Sequence, residues 1–230
     1  MHTSILVELK KVVLLALVLL LLSTAGAIGF VRQVAAQETI YIRSDGSVDP
    51  PTAPIQREGD LYTLTDNMIS DVNGIVIERD NMTLNGADYR IQGTEQAYDY
   101  HFDYRGIDIS GKSNITIKNT SIKGFSFGIN IDVSSHNTLF GNNITNNRYG
   151  VFLSGPSHNI VFGNNVMAKE YYGIRLANSS YNFVSENEVI RNVDAGIFLS
   201  LHSSYNIISG NYMHACITWR WWCLDLGFKQ

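Results

Sequence analysis

Three consecutive units near the middle of the chain decide the fold: GINIDVSSHNTLFGNNITNNRY (128–149), GVFLSGPSHNIVFGNNVMAKEYY (150–172) and GIRLANSSYNFVSENEVIRNVDA (173–195). The repeat continues on both sides of this stretch with a period of 22 to 24 residues. After each opening glycine, apolar residues stand at alternate positions, which is typical of a β-strand and not of a helix. The five copies begin at Gly106, Gly128, Gly150, Gly173 and Gly196.

Each copy also carries two asparagines five residues apart, with a short apolar run between them. Asparagine suits tight corners because it tolerates left-handed backbone angles, and stacked amides can hydrogen bond along a column. We interpret these asparagines as structural ladders rather than functional residues. The predicted ladder positions are Asn114, Asn137, Asn159, Asn182 and Asn206 at one corner, and Asn119, Asn142, Asn164, Asn187 and Asn211 at the next.

A unit of this length cannot bury its apolar face alone, whereas stacked units share one continuous core. The sequence therefore predicts an all-β fold, a single-stranded right-handed parallel β-helix (β-solenoid) with an N-terminal cap, preceded by a signal peptide or membrane anchor. Right-handed coiling is expected from the crossover rule. A leucine-rich repeat fits less well because its leucine ladder and helical half are absent, and a propeller blade needs about 40 residues or more.

The three quoted units resemble the parallel β-helix repeats of the NosD and CASH-domain family, whose fold is similar to that of pectate lyases. The resemblance covers roughly residues 74 to 215, and DNMTLNGADYRIQG (80–93) resembles the opening coil of such domains. The resemblance implies a fold shared with carbohydrate-active proteins. The NosD name is also linked with copper delivery. The shared motif is one of folding and not of catalysis.

The N-terminus has the order of an export signal. Lys10 and Lys11 precede an apolar run from Val12 to Leu22, and small residues follow it. The segment is either a cleaved signal peptide or a retained membrane anchor, so the rest of the chain is extracytoplasmic: secreted, periplasmic or at the cell surface. The predicted domains are the export segment (1–36), an N-terminal cap (37–73), the parallel β-helix repeats (74–215) and an irregular C-terminal tail (216–230).

Composition narrows the range of partners. Apolar residues make up 45% of the chain and charged residues only 17%, against roughly 25% charged in ordinary domains, which excludes a coiled coil or a charged disordered tail. The net charge of -4 gives no electrostatic reason to bind nucleic acid.

The C-terminal tail either caps the solenoid, results from a shifted reading frame or is the stump of a longer solenoid.

The catalytic candidates are Asp108, Asp132 and Arg175, which occupy outward positions on the first strand of their copies. In lyases and hydrolases that this chain resembles in fold, such a face carries clustered aspartates that bind Ca²⁺ and a basic residue that removes a proton. Asp108 and Asp132 are expected roughly 8 Å apart, in different columns. A solvated polar face is the alternative interpretation.

Aromatic residues just before successive opening glycines are candidates for carbohydrate binding, because a row of rings can stack on sugar faces. An inward-turned corner would produce the same pattern, since aromatic rings are mostly packing residues. The candidates are Phe125, Phe127, Tyr149, Tyr171 and Tyr172.

His136 and His158 are the candidate metal ligands. Each precedes a ladder asparagine, so we expect the two imidazoles to stack about 5 Å apart, in a column with Ser113, Tyr181 and Tyr205. Such a pair could share a copper ion. A polar corner residue without a metal is the alternative.

Three functions remain open from the sequence. The first is an exported cell-surface scaffold that binds a polysaccharide or another cell-envelope partner without catalysis, and that contacts the membrane through its N-terminal segment if this is not cleaved. The second is a polysaccharide lyase, hydrolase or uronate epimerase acting on an acidic polysaccharide, for which Ca²⁺ is the candidate cofactor. The third is a periplasmic copper-handling protein of the NosD type. The sequence requires no cofactor with certainty.

Overall fold

The computed structural model describes residues 38–94, 98–99, 101–155, 157–168, 170–200 and 202–214. In these ranges the chain forms 23 β-strands and no helix, and accordingly none of the described segments is a helix able to cross a membrane. The predicted export segment (1–36) and C-terminal tail (216–230) lie outside the described residues.

The strands follow one another at short intervals along the chain. They are β1 (Ile40–Ile42), β2 (Val48–Asp49), β3 (Ile55–Glu58), β4 (Leu61–Leu64), β5 (Met68–Ser70), β6 (Ile75–Ile77), β7 (Met82–Asn85), β8 (Arg90–Gly93), β9 (Arg105–Asp108), β10 (Ile115–Lys118), β11 (Ser121–Lys123), β12 (Phe127–Asp132), β13 (Thr138–Phe140), β14 (Asn143–Asn147), β15 (Tyr149–Ser154), β16 (Ile160–Phe162), β17 (Asn165–Ala168), β18 (Tyr172–Ala177), β19 (Phe183–Ser185), β20 (Glu188–Ile190), β21 (Ala195–Ser200), β22 (Ile207–Ser209) and β23 (Tyr212–His214).

The strands of the described residues form three sheets. Sheet 1 has the order β2-β1-β6-β9-β12-β15-β18-β21, sheet 2 the order β22-β19-β16-β13-β10-β7-β4-β3, and sheet 3 the order β23-β20-β17-β14-β11-β8-β5. Each coil gives one strand to each sheet, and every pairing between successive coils is parallel. The predicted parallel β-solenoid is therefore confirmed.

Register aligns the repeat copies position by position. Ile129 pairs with Val151, and Val151 pairs with Ile174, so that equivalent residues stack one coil apart. Alternate residues point inward and are buried, as period-two alternation requires. The inward columns of sheets 2 and 3 are equally apolar, for example Leu139 and Val161 in sheet 2. The inward columns of the three sheets together form one continuous apolar core.

Residues 38–73 lie in the predicted N-terminal cap. They form the first coil of the solenoid and two short strands that cover its outer edge. Strands β1, β4 and β5 pair in parallel with the following coil. The short strands β2 and β3 pair antiparallel with β1 and β4, on the sides that face away from the solenoid. They cover the edges of sheets 1 and 2 that would otherwise offer unpaired backbone groups.

The opening glycines are required by the closeness of the coils. A Cβ atom on Gly150 would overlap the carbonyl oxygen of Gly173 on the next coil and a methyl group of Val166. Gly128 meets Gly150 in the same way. At Gly196, on the last described coil, a Cβ would instead meet the flexible Met213 side chain, with the sulfur at 3.3 Å.

This difference gives the first prediction. Gly150→Ala should lower the free energy of unfolding by about 2 to 4 kcal/mol, because the backbone of the next coil must move. Gly196→Ala is the matched control and should cost under about 1 kcal/mol, since a thioether can turn aside. Chemical denaturation of both variants measures the two losses, and equal losses would contradict the role assigned to the glycine column.

Buried asparagines link the coils at the corners. The side chain of Asn164 is 1% exposed and its Oδ1 accepts hydrogen bonds from the backbone and side-chain nitrogens of Asn142, at 3.0 and 2.9 Å. Its Nδ2 donates to Oδ1 of Asn187 at 3.0 Å. The amide also bonds to the backbone carbonyl of Leu139 on the preceding coil. Each asparagine therefore satisfies backbone groups that the corner removes from the sheets.

The two ladder positions predicted in the earliest copy are wrong. Strand register aligns Ile115 with Asn137 and places Thr120 opposite Asn142, so Asn114 and Asn119 each lie one residue before the ladder. Both have positive φ, at 58° and 50°. Left-handed backbone angles occur at the residue before each ladder asparagine. The ladder asparagine itself points its amide inward, where the amide bonds to neighbouring coils. The structure also adds Asn147 and Asn192 at the third corner, which the sequence prediction did not include.

The second prediction tests the ladder. Asn164→Ala should lower the free energy of unfolding by about 2 to 4 kcal/mol, because it leaves several buried donors and acceptors of neighbouring coils unpaired. Asn143→Ala is the control: Asn143 is exposed and accepts one side-chain hydrogen bond from Asn165 at 3.1 Å. Its loss should stay within about 0.5 kcal/mol. Comparable losses in urea denaturation would show that the ladder does not stabilise the solenoid.

Candidate functional site

Functional side chains of a solenoid must lie on its outside, and the outer face of sheet 1 carries the most varied chemistry. Two outward columns run along it. One contains Arg105, Phe127, Tyr149 and Tyr172, and the other contains Asp108, Asn130, Phe152, Arg175 and Phe198. The alternation of each strand directs both columns to the outer side of the sheet, because the intervening residues fill the core.

At its N-terminal end the outer face of sheet 1 is a polar cluster. Oδ1 of Asp108 accepts hydrogen bonds from the backbone and hydroxyl of Ser110 and from Nδ2 of Asn130, the last at 3.1 Å. Nε of Arg105 lies 3.7 Å from the other Asp108 oxygen. Oδ1 of Asp108 is thus engaged within the protein, whereas Nε of Arg105 is buried and makes no hydrogen bond.

The middle of the face consists of stacked aromatic rings. Ring centroids lie 5.0 Å apart for Phe127 and Tyr149, 4.8 Å for Tyr149 and Tyr171, and 4.4 Å for Tyr172 and Phe198, with planes within 11° of parallel. Rings stacked in this way cover one another's faces. Their edges and the tyrosine hydroxyls therefore form the contact surface, and a sugar would meet hydroxyl groups more than open ring faces.

Among the five predicted carbohydrate-binding residues, Phe125 is misassigned. Its side chain is fully buried, and its ring packs near the backbone of Gly106. The corner turns this ring into the core, so it cannot contact a ligand. The other four residues, Phe127, Tyr149, Tyr171 and Tyr172, lie together on the outer side.

A loop covers one margin of the aromatic cluster. The hydroxyl of Tyr98 donates to Glu170 at 2.8 Å, across 72 residues of sequence, and the other carboxylate oxygen of Glu170 lies 3.2 Å from Nε of Arg148. Arg148 in turn lies over the ring of Tyr171 at 5.4 Å. Burial raises the pKa of the Tyr149 hydroxyl above its ordinary value, with Arg175 opposing part of the rise, so this hydroxyl stays a donor at neutral pH.

Phe152 and Arg175 break the stacked pattern. The Phe152 ring is tilted by 58° to Phe127 and by 63° to Tyr149. The guanidinium carbon of Arg175 lies 5.2 Å from the centre of the Phe152 ring and 5.8 Å from that of Tyr172. Arg175 is therefore held by aromatic neighbours in a partly desolvated position.

The predicted catalytic residues are not brought together. Arg175 shares a column with Asp108, but Asn130 and Phe152 lie between them, so three strand spacings of about 4.8 Å separate their backbones. Asp132 lies in a third column, opposite Ser154. An acid–base pair has to reach the same substrate group, and these three side chains face different parts of the surface.

His136 and His158 stack as predicted in spacing, with centroids 5.2 Å apart and planes within 4°. The column continues with Tyr181 and Tyr205, whereas Asn114 takes the place predicted for Ser113. All five residues have φ between 54° and 59°. Asparagine and histidine are enriched in this left-handed region, so the backbone accounts for the imidazoles at this corner.

Fold and surface together define a parallel β-helix protein with a polar and aromatic outer sheet face. The chain matches the family described as "Periplasmic copper-binding protein (NosD)" over residues 36–215, which is most of its length. It belongs to that family, and a periplasmic family agrees with an extracytoplasmic location. No match is found among the curated proteins or the solved structures.

His136 and His158 are not placed to share one copper ion. The described residues contain no group of three or more histidine, cysteine, aspartate or glutamate side chains placed to hold a metal. A metal bound by imidazole lies in the ring plane, about 2 Å from the nitrogen. Because the rings of His136 and His158 are parallel and stacked, an ion in the plane of one ring is outside the plane of the other.

The third prediction follows from this stacking. His136→Ala should change the Cu²⁺ dissociation constant at the remaining sites by less than about two-fold, because the two imidazoles act independently. His202→Ala, which removes an exposed histidine elsewhere, is the control and should behave alike. An equilibrium Cu²⁺ titration distinguishes the cases, since loss of a chelating partner would weaken binding by about tenfold or more, or about 1.4 kcal/mol.

Proposed function

We propose that this protein is an exported β-helix scaffold that binds a cell-envelope glycan along the outer face of sheet 1, without catalysis. The observation that supports the proposal most strongly is the concentration of tyrosines and arginines on that one face. Phe127, Tyr149, Tyr171 and Tyr172 form one continuous contact surface, and arginines adjoin it at Arg105, Arg148 and Arg175.

The geometry favours recognition by hydrogen bonds. Tyrosine hydroxyls lie on two successive coils, Tyr149 on one and Tyr171 and Tyr172 on the next, at the coil spacing of about 4.8 Å, and guanidinium groups add donors beside them. An extended saccharide offers a matching series of hydroxyl groups along its length. Aromatic edges between the donors supply apolar contact for the carbon-bound hydrogens of the sugar rings.

Binding is favoured over turnover because two carboxylates at this face, those of Asp108 and Glu170, are used within the protein. Asp108 is engaged by Ser110, Asn130 and Arg105. Glu170 is engaged by Tyr98 and Arg148. A general acid or base needs a free proton-accepting or proton-donating atom directed at the substrate, and these carboxylates are directed at neighbouring side chains.

The fourth prediction tests the face. In gels or columns containing neutral and uronic polysaccharides, the full-length protein should be retained, and no new chain ends should appear on incubation with Ca²⁺. Tyr149→Ala should weaken retention by about tenfold, which corresponds to about 1.4 kcal/mol. The loss is expected because the substitution removes the ring at the centre of the cluster.

Phe140→Ala is the matched control. Phe140 stacks on Phe162 with centroids 5.5 Å apart, but this pair lies on sheet 2. The control should retain the native affinity. New chain ends would overturn the non-catalytic part of the proposal, and equal losses from both variants, or no retention of the native protein, would overturn the binding face.

A further inference from the structure

The partly buried arginines of the described residues differ in whether they have a carboxylate partner. Of these five arginines, four have a carboxylate partner. The pairs are Arg43 with Asp49 and Glu78, Arg79 with Asp60, Arg105 with Asp108, and Arg148 with Glu170. The fifth is Arg175, which has no carboxylate partner within the part of the chain that the structure describes.

The Nε atom of Arg175 is buried and makes no hydrogen bond in the structure. Leaving a buried donor unpaired costs about 1 to 3 kcal/mol, and more when the group is charged. The fold does not require this cost, because the equivalent positions on neighbouring coils are the uncharged residues Phe152 and Phe198. An arginine at this position is therefore a departure from the repeat that the core does not need.

The surroundings of Arg175 suit a planar anion. Phe152 and Tyr172 hold the guanidinium in one orientation, which lowers the entropy lost when it binds. Partial desolvation strengthens a charge-assisted hydrogen bond. The outward column beside that of Arg175 consists of the small residues Ser154, Ala177 and Ser200.

We propose that Arg175 binds a carboxylate of the glycan, so that the ligand of the outer face of sheet 1 is a polysaccharide containing uronic acid. This inference rests on the proposed function. Guanidinium and carboxylate groups match in a bidentate geometry that lysine cannot reproduce. The net charge of -4 disfavours long-range attraction of a polyanion, so selectivity comes from this local contact.

The test compares polygalacturonate with the same polymer after methyl esterification, which removes the charge and keeps the sugar. The native full-length protein should bind the acid form about tenfold or more tightly. Arg175→Gln should abolish this preference, so that the acid form and the ester form bind equally. Arg175→Lys should restore only part of it, because the charge returns without the planar fork.

Arg191→Gln, at an exposed arginine on a corner, is the matched control and should keep the preference. The melting temperature of Arg175→Gln should be equal to or above that of the native protein, because the variant removes an unpaired buried donor. A lower melting temperature would indicate a structural role for Arg175 and overturn the inference.

The two proposals fail in different ways. Equal binding of both polymers, with loss of binding in Tyr149→Ala, would overturn the uronate inference and leave the glycan face intact. If the native protein binds neither polymer and no neutral polysaccharide, both the glycan-binding face and the uronate inference are overturned. A preference for the acid form that persists in Arg175→Gln would assign the carboxylate to another residue and overturn the role of Arg175.

Discussion

Parallel hydrogen bonding between successive coils places every residue about 4.8 Å from its counterpart on the next coil. A side chain in this molecule therefore packs first against a copy of its own position. Glycine meets glycine because the coils leave no space for a Cβ, and asparagine bonds to asparagine because one amide both donates and accepts. Aromatic rings stack on aromatic rings for the same reason. The repeat in the sequence is the result of this spacing.

The same spacing is unfavourable for charge. Like charges in one column would lie within 5 Å of each other and repel, so ionised groups cannot repeat as the asparagines do. In this chain they are paired with the opposite charge, either within one strand, as Arg105 is with Asp108, or on the next coil, as Arg148 is with Glu170. Chemistry in a solenoid of this kind is thus carried by the residues that depart from the column around them.

How far the sequence alone could lead depends on which physical interaction selects a residue. The period, the strands and the inward columns were predictable because burial selects apolar residues every second position. The shift of Asn114 and Asn119 was not, because the left-handed corner and the inward ladder are adjacent positions that both accept asparagine. Only the hydrogen-bond register separates the two. The direction of Phe125 was equally hidden, since an aromatic ring suits either side of a corner.

The candidate site shows the same division. The spacing of His136 and His158 followed from the period, yet their left-handed backbone accounts for these residues without a ligand. The sequence placed Arg175 on the outer strand face but could not show that its Nε would be buried, because that depends on the tilt of Phe152 and the position of Tyr172. A residue that the backbone or the core requires needs no function. Arg175 is required by neither and has no carboxylate partner among the described residues, so it is a stronger indication of a ligand than any residue of the repeated columns.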